Sequence, residues 1–309
     1  MTKVYIDGSA GTTGLRIRER LSARADIELL DIPEEVRKDA AARAGRMNES
    51  DITFFCLPDA AAVEAEGLVT NPRVRIIDTS TAHRTAPGWS YGFAELSDGH
   101  REALRRSKRV SVPGCHASGF NALVYPLTAG GIVPADYPFV CYSVTGYSGG
   151  GKSMIAEYGA PGRDAELDSP RQYGVTQQHK HLKEMKAVPG LAREPVFAPI
   201  VADYYSGMVV SVPLFGHLLK KGQTVASLKA YFEEYYAGQP LIHVSEETPA
   251  FIGANRLSGR DTMEILVLGN DERLLLAARF DNLGKGASGA AIQCMNIMLG
   301  ISETTGLEM

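Results

Sequence analysis

Two rhythms of apolar and polar positions run along the chain. Through about residue 115, short apolar runs alternate with stretches of helical spacing, the runs being 3–8 (KVYIDG), 26–32 (DIELLDI), 52–58 (ITFFCLP) and 73–80 (RVRIIDTS). The first helical stretch, SAGTTGLRIRERLSAR, predicts an amphipathic helix with Leu15, Ile17 and Leu21 as its apolar positions. Strands and helices that alternate at this spacing predict βαβ units and a parallel, doubly wound sheet.

The second rhythm is less regular. Longer apolar runs fall at 139–146, 208–215, 263–269 and 273–281, with a helical pattern in LKAYFEEYYAG. They predict a second, α+β domain with a mixed or antiparallel sheet. The tail at 286–301 (GASGAAIQCMNIMLGI) predicts a further helix.

Composition narrows the function classes. The 309 residues suffice for about two domains, and a net charge of −4 gives no general support for a nucleic-acid partner. The chain lacks an apolar run of about 18 residues and a basic-then-apolar leader, so we expect no membrane partner and a cytoplasmic location. Its four cysteines lie far apart without a C-x-x-C pair, which argues against a disulfide framework and against a metal site.

A glycine loop joins the first predicted strand to the first predicted helix. Gly8, Gly11 and Gly14 follow a G-x-x-G-x-x-G spacing, and Ser9, Thr12 and Thr13 add hydroxyl groups. In a βαβ context such a loop brings backbone N–H groups to a pyrophosphate at a helix N-terminus, which predicts a Rossmann-type nucleotide-binding domain.

Two signals conflict on the choice of cofactor. Asp31 ends the second predicted strand 23 residues after Gly8, where an acid usually holds the ribose 2′-OH of NAD. Arg37 and Lys38 follow closely and suit the 2′-phosphate of NADP. These residues leave the choice open.

Cys115 is the candidate nucleophile. It follows a Pro-Gly turn and opens a helical pattern in SVPGCHASGFNALVYPL, where the positive end of a helix dipole favours a thiolate. Cys56, Cys141 and Cys294 lie inside apolar runs and are expected to be small buried residues. A cysteine nucleophile beside a nicotinamide suggests that an acyl group is bound as a thioester and reduced to an aldehyde.

This chemistry needs a proton-transfer group, for which histidine is the usual residue. His83 and His116 adjoin the candidate chemistry in sequence. His179 and His181 stand two residues apart in QYGVTQQHKHLKEM, downstream of Tyr173. A metal-binding pair and a polar helix surface are the alternative interpretations of that H-x-H.

Residues 146–153 (GYSGGGKS) match the P-loop pattern G-x-x-x-x-G-K-[ST] letter for letter. A strand precedes them, and Asp203, the last residue of PIVAD, suits the Walker B carboxylate that accompanies a P-loop. Against a P-loop, the glycines and proline of MIAEYGAPG predict no solid helix of about 10 residues after the turn. The chain also begins with a better nucleotide loop.

Six segments carry a family resemblance: GSAGTTG, IIDTSTAHR, YGFAEL, VPGCHASGF, YGVTQQHKHLKEM and DNLGKGASGAAIQCMN. In this order they resemble the N-acetyl-γ-glutamyl-phosphate reductases, relatives of aspartate-semialdehyde dehydrogenase, in their compact second type. The resemblance runs from about residue 3 to residue 300. Its cysteine and DNLxKGASG motifs are specific, whereas its glycine loop is widely shared.

The resemblance implies NADPH-dependent reduction of N-acetyl-L-γ-glutamyl phosphate to the 5-semialdehyde, with release of phosphate, in arginine biosynthesis. It implies a semialdehyde dehydrogenase-like fold, with an NADP-binding Rossmann domain at 1–115 and 284–309 and an α+β catalytic domain at 116–283. It also implies a homodimer or homotetramer, a small-molecule substrate, and no metal.

The resemblance assigns roles residue by residue. Cys115 matches the nucleophile and His181 the acid/base, Arg84, Tyr173 and His179 match substrate-site residues, and Asn282 joins the glycine loop among the cofactor contacts. The turn GYSGGGKS is similar to one beside the family's cysteine, which makes Ser148 and Lys152 candidate phosphate contacts. His116 and Lys183 replace the tyrosine and proline of the longer form, so His179 and His181 both stay open as the acid/base.

Three other functions compete with this interpretation. A different acyl-phosphate reductase, such as aspartate-semialdehyde dehydrogenase, would share the nucleophile and the cofactor. A P-loop NTPase and a nucleotide-sensing module without turnover are the others.

Overall fold

The computed structural model describes residues 1–309, which form two compact units. The first unit comprises Met1–Pro113 and Ala287–Leu307, and the second comprises Gly114–Gly286 and Glu308–Met309. The strands are β1 (Thr2–Asp7), β2 (Ile27–Leu30), β3 (Ile52–Phe55), β4 (Arg75–Asp78), β5 (Ser90–Tyr91), β6 (Arg109–Ser111), β7 (Val140–Gly146), β8 (Arg171–Gln172), β9 (Val196–Ala202), β10 (Met208–Phe215), β11 (Ile242–Val244), β12 (Met263–Gly269) and β13 (Arg273–Phe280).

The helices connect and cover these strands. They are α1 (Thr12–Ser22), α2 (Ala40–Glu49), α3 (Asp59–Leu68), α4 (Asp98–Arg106), α5 (Cys115–Ala129), α6 (Gly151–Gly159), α7 (Leu182–Ala187), α8 (Val225–Tyr235) and α9 (Gly289–Leu299). None of them combines the length and the apolar character that a bilayer-spanning helix needs.

The first unit is built on a six-stranded sheet in the order β2-β1-β3-β4-β6-β5, with every neighbouring pair parallel. Side chains alternate between its faces, because successive residues of a strand point in opposite directions. On β1, Val4 and Ile6 belong to the core shared with α1, α4 and α9, whereas Tyr5 belongs to the core shared with α2 and α3. This confirms the predicted parallel, doubly wound sheet.

The second unit is built on a seven-stranded sheet in the order β11-β12-β13-β10-β7-β9-β8. The β7–β9 and β11–β12 pairs are parallel and the others antiparallel, which confirms the predicted mixed sheet. Helix α5 packs closely on this sheet. A Cβ atom at Gly119 would lie 2.5 Å from Val210 Cγ2, so only glycine permits that approach.

Two details differ from the sequence-based expectations. Leu15 is 47% exposed, while Ile17 and Leu21 are buried. Leu15 and Ile17 are two residues apart and therefore lie on nearly opposite sides of the helix, whereas Ile17 and Leu21 share a face. The predicted interruption after GYSGGGKS is confirmed, since α6 ends at Gly159, before Pro161. The helix nevertheless begins earlier than expected, because Gly151, Lys152 and Ser153 supply its first residues and bring its length to nine.

Candidate active site

Cys115 is the first residue of α5, as the sequence predicted. Gly114 precedes it in an extended conformation and offers no side chain to cap the helix. The first N–H groups of a helix have no acceptor within the helix, so this helix start favours an anion. Cys115 is partly exposed, which leaves its sulfur within reach of a small molecule.

The other cysteines are in different surroundings. Cys141 and Cys294 are buried, and burial raises the pKa of Cys141 above the ordinary thiol value. Burial also raises the pKa of Cys56 to about 12. Cys56 and Cys141 therefore keep their protons near neutral pH and are poor nucleophiles.

Glu184 connects the start of α7 with the start of α5. Its Oε2 accepts a hydrogen bond of 3.1 Å from the backbone N–H of Gly114, the residue before Cys115. His181 precedes Glu184 by three residues and therefore lies on the same side of the helical turn. His181 is buried, and its ring centroid lies 5.6 Å from that of His116, the second residue of α5.

Three histidine rings meet in the second unit. The ring centroids of His179 and His181 are 4.7 Å apart, and that of His116 lies 5.7 and 5.6 Å from them. The backbone N–H of His181 donates to Nδ1 of His179 over 3.2 Å. No group of three or more His, Cys, Asp or Glu side chains is arranged to hold a metal ion.

Tyr173 joins this cluster through His116. Its hydroxyl lies 2.6 Å from His116 Nε2, and the other ring nitrogen of His116 lies 2.8 Å from the hydroxyl of Ser143. Burial, and then the neighbouring His179, lower the pKa of His116 to about 3. Burial raises the pKa of Tyr173, and the negative charge of Cys115 raises it further, so Tyr173 keeps its proton near neutral pH.

The segment after β13 lies against the cysteine. A Cβ atom at Gly286 would come within 2.9 Å of Cys115 Cβ, which explains a glycine there. Asn282 uses both ends of its amide in the second unit. Its Oδ1 accepts from the backbone N–H of Gly207 at 2.8 Å, and its Nδ2 donates to Ser148 Oγ at 3.0 Å.

The GYSGGGKS turn has few groups available for a phosphate. The backbone N–H groups of Gly146, Tyr147 and Ser148 donate to the carbonyls of Gly207, Tyr204 and Tyr205 respectively, at 2.9–3.0 Å. Lys152 is exposed in the first turn of α6. Asp203, the carboxylate expected of a P-loop protein, is paired with Arg163.

The glycine loop of the first unit is built differently. Gly8 has φ +84°, and a Cβ atom there would lie 2.3 Å from the carbonyl oxygen of Cys56. A Cβ atom at Gly14 would lie 2.5 Å from the Gly8 carbonyl oxygen, whereas at Gly11 it would meet only ordinary contacts. Gly11 begins α1 without a side-chain cap, and Ser9, Thr12 and Thr13 are partly exposed around it. These features suit the pyrophosphate of a dinucleotide.

A pocket of about 440 Å³ adjoins this loop, with Ser9, Arg18, Asp31 and Glu34 among its lining residues. Arg18 donates two hydrogen bonds to Asp31, one of them 3.0 Å long, and thereby lowers the pKa of that carboxyl group. Arg37, one of the two basic residues considered from the sequence, pairs with Glu34 at 2.7 Å. Arg18 was not among the residues predicted from the sequence, although a basic residue one helical turn after Gly14 could have indicated a phosphate contact.

Arg84 and His83 lie in the loop after β4, in the first unit. Arg84 donates to the carbonyls of Val112 and Thr79, at 2.9 and 3.2 Å. His83 is buried, lies 2.7 Å from Asp78 and stacks on Trp89, so its position is explained by packing.

The sequence matches known proteins over nearly its full length. Residues 115–282 match the family model described as semialdehyde dehydrogenase, dimerisation domain. N-acetyl-gamma-glutamyl-phosphate reductase of Sinorhizobium medicae is 47% identical over 305 residues, which cover 96% of this chain and 98% of that protein. N-acetyl-gamma-glutamyl-phosphate reductase 2 of a Nostoc species is 45% identical, covering 99% of both.

Solved structures share the fold at low sequence identity. Aspartate semialdehyde dehydrogenase II of Vibrio cholerae, complexed with ASA, matches with a TM-score of 0.71 and 13% identity over 97% of this chain and 98% of that one. The aspartate semialdehyde dehydrogenase of Candida albicans, solved with NADP, matches with a TM-score of 0.69 and 16% identity over 97% of this chain and 98% of that one.

Proposed function

The chain belongs to the N-acetyl-gamma-glutamyl-phosphate reductase family, and we propose that it performs the family's reaction through a thioester on Cys115. The reaction is the reduction of N-acetyl-γ-glutamyl phosphate in arginine biosynthesis. The observation that carries the proposal is a partly exposed cysteine on an uncapped helix start, with three histidines and a protonated tyrosine close by.

In the first step the Cys115 thiolate adds to the acyl carbon, and the carbonyl oxygen becomes an oxyanion. N–H groups at the start of α5 stabilise this charge, a contribution worth about 3–4 kcal/mol per donor in other enzymes. The oxyanion then collapses, the bond from carbon to the phosphate oxygen breaks, and phosphate leaves. The acyl group remains on sulfur as a thioester.

NADPH, when bound, supplies the hydride that brings the thioester to the oxidation level of an aldehyde. The protein's own task in that half of the reaction is proton transfer. We assign it to His181, because Glu184 on the same helical turn is bonded to the residue before Cys115. His181 protonates the oxygen and takes the proton back as the carbon–sulfur bond breaks, which returns the thiolate.

Substrate contacts are proposed for Tyr173 and His179 in the cluster and for Ser148 and Lys152 in the GYSGGGKS turn. Lys152 is the exposed cation of that turn and suits the leaving phosphate. Arg84 keeps the substrate-binding role that the resemblance implies. Asn282 keeps the proposed cofactor-binding role, and its amide also holds Gly207 and Ser148 in the second unit.

The cofactor is proposed to be NADP(H), held at the glycine loop by Gly8, Ser9, Gly11, Thr12, Thr13 and Gly14. Arg18 is the guanidinium that lines the adjoining pocket, where it already neutralises Asp31. A planar guanidinium suits a phosphate. We therefore assign the 2′-phosphate of NADP to Arg18, in place of Arg37 and Lys38.

A second copy of the chain is the proposed protein partner. On the sheet of the second unit, Val140, Tyr142 and Val144 of β7 stand beside Val196, Ala198 and Ile200 of β9 on one face, and all six are at least partly exposed. An apolar stripe of this kind marks an interface. A monomer by light scattering would contradict this assignment.

We place the reaction in the cytoplasm, where NADPH and free thiols are maintained.

The reverse reaction tests the proposal. Phosphate-dependent reduction of NADP is expected with N-acetylglutamate semialdehyde and only weakly, if at all, with aspartate semialdehyde. Cys115→Ser is expected to lower kcat by at least about a thousandfold, because the covalent nucleophile is lost. The control is Cys294→Ser, whose hydroxyl can still donate to the Gly92 carbonyl as the thiol does. Near-normal turnover by Cys115→Ser is incompatible with the proposal.

A further inference from the structure

We propose that His116 is a positioning residue, which directs the hydroxyl proton of Tyr173 toward the negative charge at Cys115. The inference rests on the proposed function in taking Cys115 as the reacting thiol. It goes further by assigning a task to the residue that immediately follows the nucleophile.

The argument begins at Ser143 on β7, whose side chain is fully buried. The only hydrogen-bond partner of its hydroxyl is Nδ1 of His116, 2.8 Å away. A buried hydroxyl that donates to nothing is costly, while an unused lone pair costs much less. Ser143 therefore donates its proton, and Nδ1 of His116 is the acceptor.

His116 is neutral, so it carries one ring proton. It is 3% exposed, and Phe197 and two other histidine rings surround it. Burial and the proximity of His179 lower its pKa to about 3. Since Nδ1 accepts, the proton is on Nε2, and Nε2 donates to the Tyr173 hydroxyl oxygen over 2.6 Å.

Tyr173 then receives a hydrogen bond from His116 and must direct its own proton elsewhere. Its hydroxyl is bound to the side chain of the residue that directly follows Cys115 at the start of α5. Burial raises the pKa of Tyr173, and the negative charge of Cys115 raises it further, so we take the thiolate as the acceptor of that proton. The opposite tautomer of His116 would take the tyrosine proton and turn the oxygen lone pairs toward the sulfur. Ser143 excludes that tautomer, and Tyr173 becomes a donor to the thiolate.

The rate of alkylation of Cys115 by iodoacetamide, measured against pH, tests this directly. A hydrogen bond to the thiolate lowers its apparent pKa, so Tyr173→Phe is expected to raise that pKa by about one unit. His116→Phe, which keeps an aromatic ring but cannot donate, is expected to give the same rise. The double variant should rise no further, because both changes remove one interaction.

His116→Gln is the rescue variant. Its amide N–H reaches about as far as Nε2 of histidine and can donate to Tyr173. The apparent pKa of Cys115 in this variant should therefore lie between the values for wild type and His116→Phe. If His116 had only a structural role, the apparent pKa of Cys115 would not follow this order from wild type through His116→Gln to His116→Phe. His179, His181 and Glu184 are the other titratable groups around this site, and all the variants keep them.

Two results would overturn the proposal: a wild-type alkylation profile for His116→Phe, or a double variant whose rise equals the sum of the single ones. If His116→Phe does not fold, as judged by circular dichroism, Ser143→Ala replaces it. Ser143→Ala should raise the apparent pKa by a smaller amount, and an unchanged profile overturns the proposal. Alkylation uses no acyl phosphate, so normal turnover with unshifted profiles rejects this inference alone, while shifted profiles without turnover reject the proposed function alone.

Discussion

The chain contains two glycine-rich turns that lead from a strand toward a helix, one after β1 and one after β7. The turn after β7 matches the P-loop pattern letter for letter, yet three successive N–H groups in it already donate to backbone carbonyls. The turn after β1 matches its own fingerprint less closely. It has only ordinary contacts around Gly11, an uncapped helix start and an adjoining pocket.

The difference lies in where the backbone hydrogen bonds go. A phosphate site needs N–H groups that the fold leaves without acceptors, and a sequence pattern does not report this. In the β7 turn, glycines serve close packing: a Cβ atom at Gly146 would lie 2.6 Å from the Tyr204 carbonyl oxygen. Glycine spacing therefore identifies a tight turn, and the hydrogen bonds of that turn decide whether it can bind a phosphate.

Matched glycine substitutions give the largest expected contrast. Gly8→Ala forces a side chain into φ +84° and against the Cys56 carbonyl, and it is expected to cost roughly 2–4 kcal/mol of unfolding free energy and to abolish NADPH binding. Gly149→Ala meets only ordinary contacts, the nearest at 3.5 Å, and is expected to change stability by less than about 0.5 kcal/mol. Denaturant unfolding and NADPH titration measure both effects. Equal losses would contradict the contrast.

The loss of unfolding free energy in acid tests the burial of His116 in the second unit, and Gly8→Ala in the first unit is the control. The folded-state pKa of His116, about 3, lies below the unfolded value of about 6.5, so the unfolded chain binds the extra proton as pH falls through that window. Wild type should therefore lose about 2 kcal/mol more unfolding free energy than His116→Phe between pH 6.5 and pH 5. Gly8→Ala should lose as much as wild type. Parallel losses in His116→Phe and wild type would show that the pKa of His116 is the same in the folded and the unfolded state, and would contradict the lowered pKa.

Arg18→Ala sharpens the assignment of the pocket in the first unit. Loss of a guanidinium–phosphate contact is expected to raise KM for NADPH by about tenfold and to leave KM for NADH unchanged, because NADH lacks the 2′-phosphate. Arg37→Ala is the control and should have a smaller effect, since its partner is Glu34. Equal changes for both cofactors would remove Arg18 from the 2′-phosphate site.

Lys152→Ala gives the smallest expected effect. As an exposed cation, Lys152 is expected to contribute about 0.2–1 kcal/mol to phosphate binding, so KM for acyl phosphate and for phosphate should rise by about twofold to fivefold. NADPH binding should not change, and Lys221→Ala, another exposed lysine, should have no effect. A P-loop would instead lose nucleotide binding altogether. Unchanged KM values would exclude Lys152 as a phosphate contact.

Much of the fold was predictable because its signals are local. The alternation of short apolar runs with helical spacing located β1 to β4 and their helices, and the Pro-Gly turn placed Cys115 at the start of α5. The start of α6 was not predicted, since its first turn uses residues of the glycine-rich turn itself. Local glycine content gives no information on the hydrogen bonds that complete such a turn.

The polar network of the site was less accessible to sequence reasoning. The pair His179 and His181 was found from its spacing, but the chain from Ser143 through His116 to Tyr173 joins residues that are 27 and 57 positions apart. Such contacts depend on the register of β7 and on the packing of α5 against the sheet. Arg18 and Asp31 likewise meet only because β2 lies beside β1.

The covalent state of Cys115 tests the central claim most directly. Incubating the protein with N-acetylglutamate semialdehyde and NADP in the absence of phosphate, followed by acid quenching and intact-protein mass spectrometry, should reveal one added N-acetylglutamyl group. Peptide mapping should locate it on Cys115, and Cys115→Ser should carry none. An unmodified wild-type protein that nevertheless turns over when phosphate is added, or an acyl group on any other residue, would contradict the account.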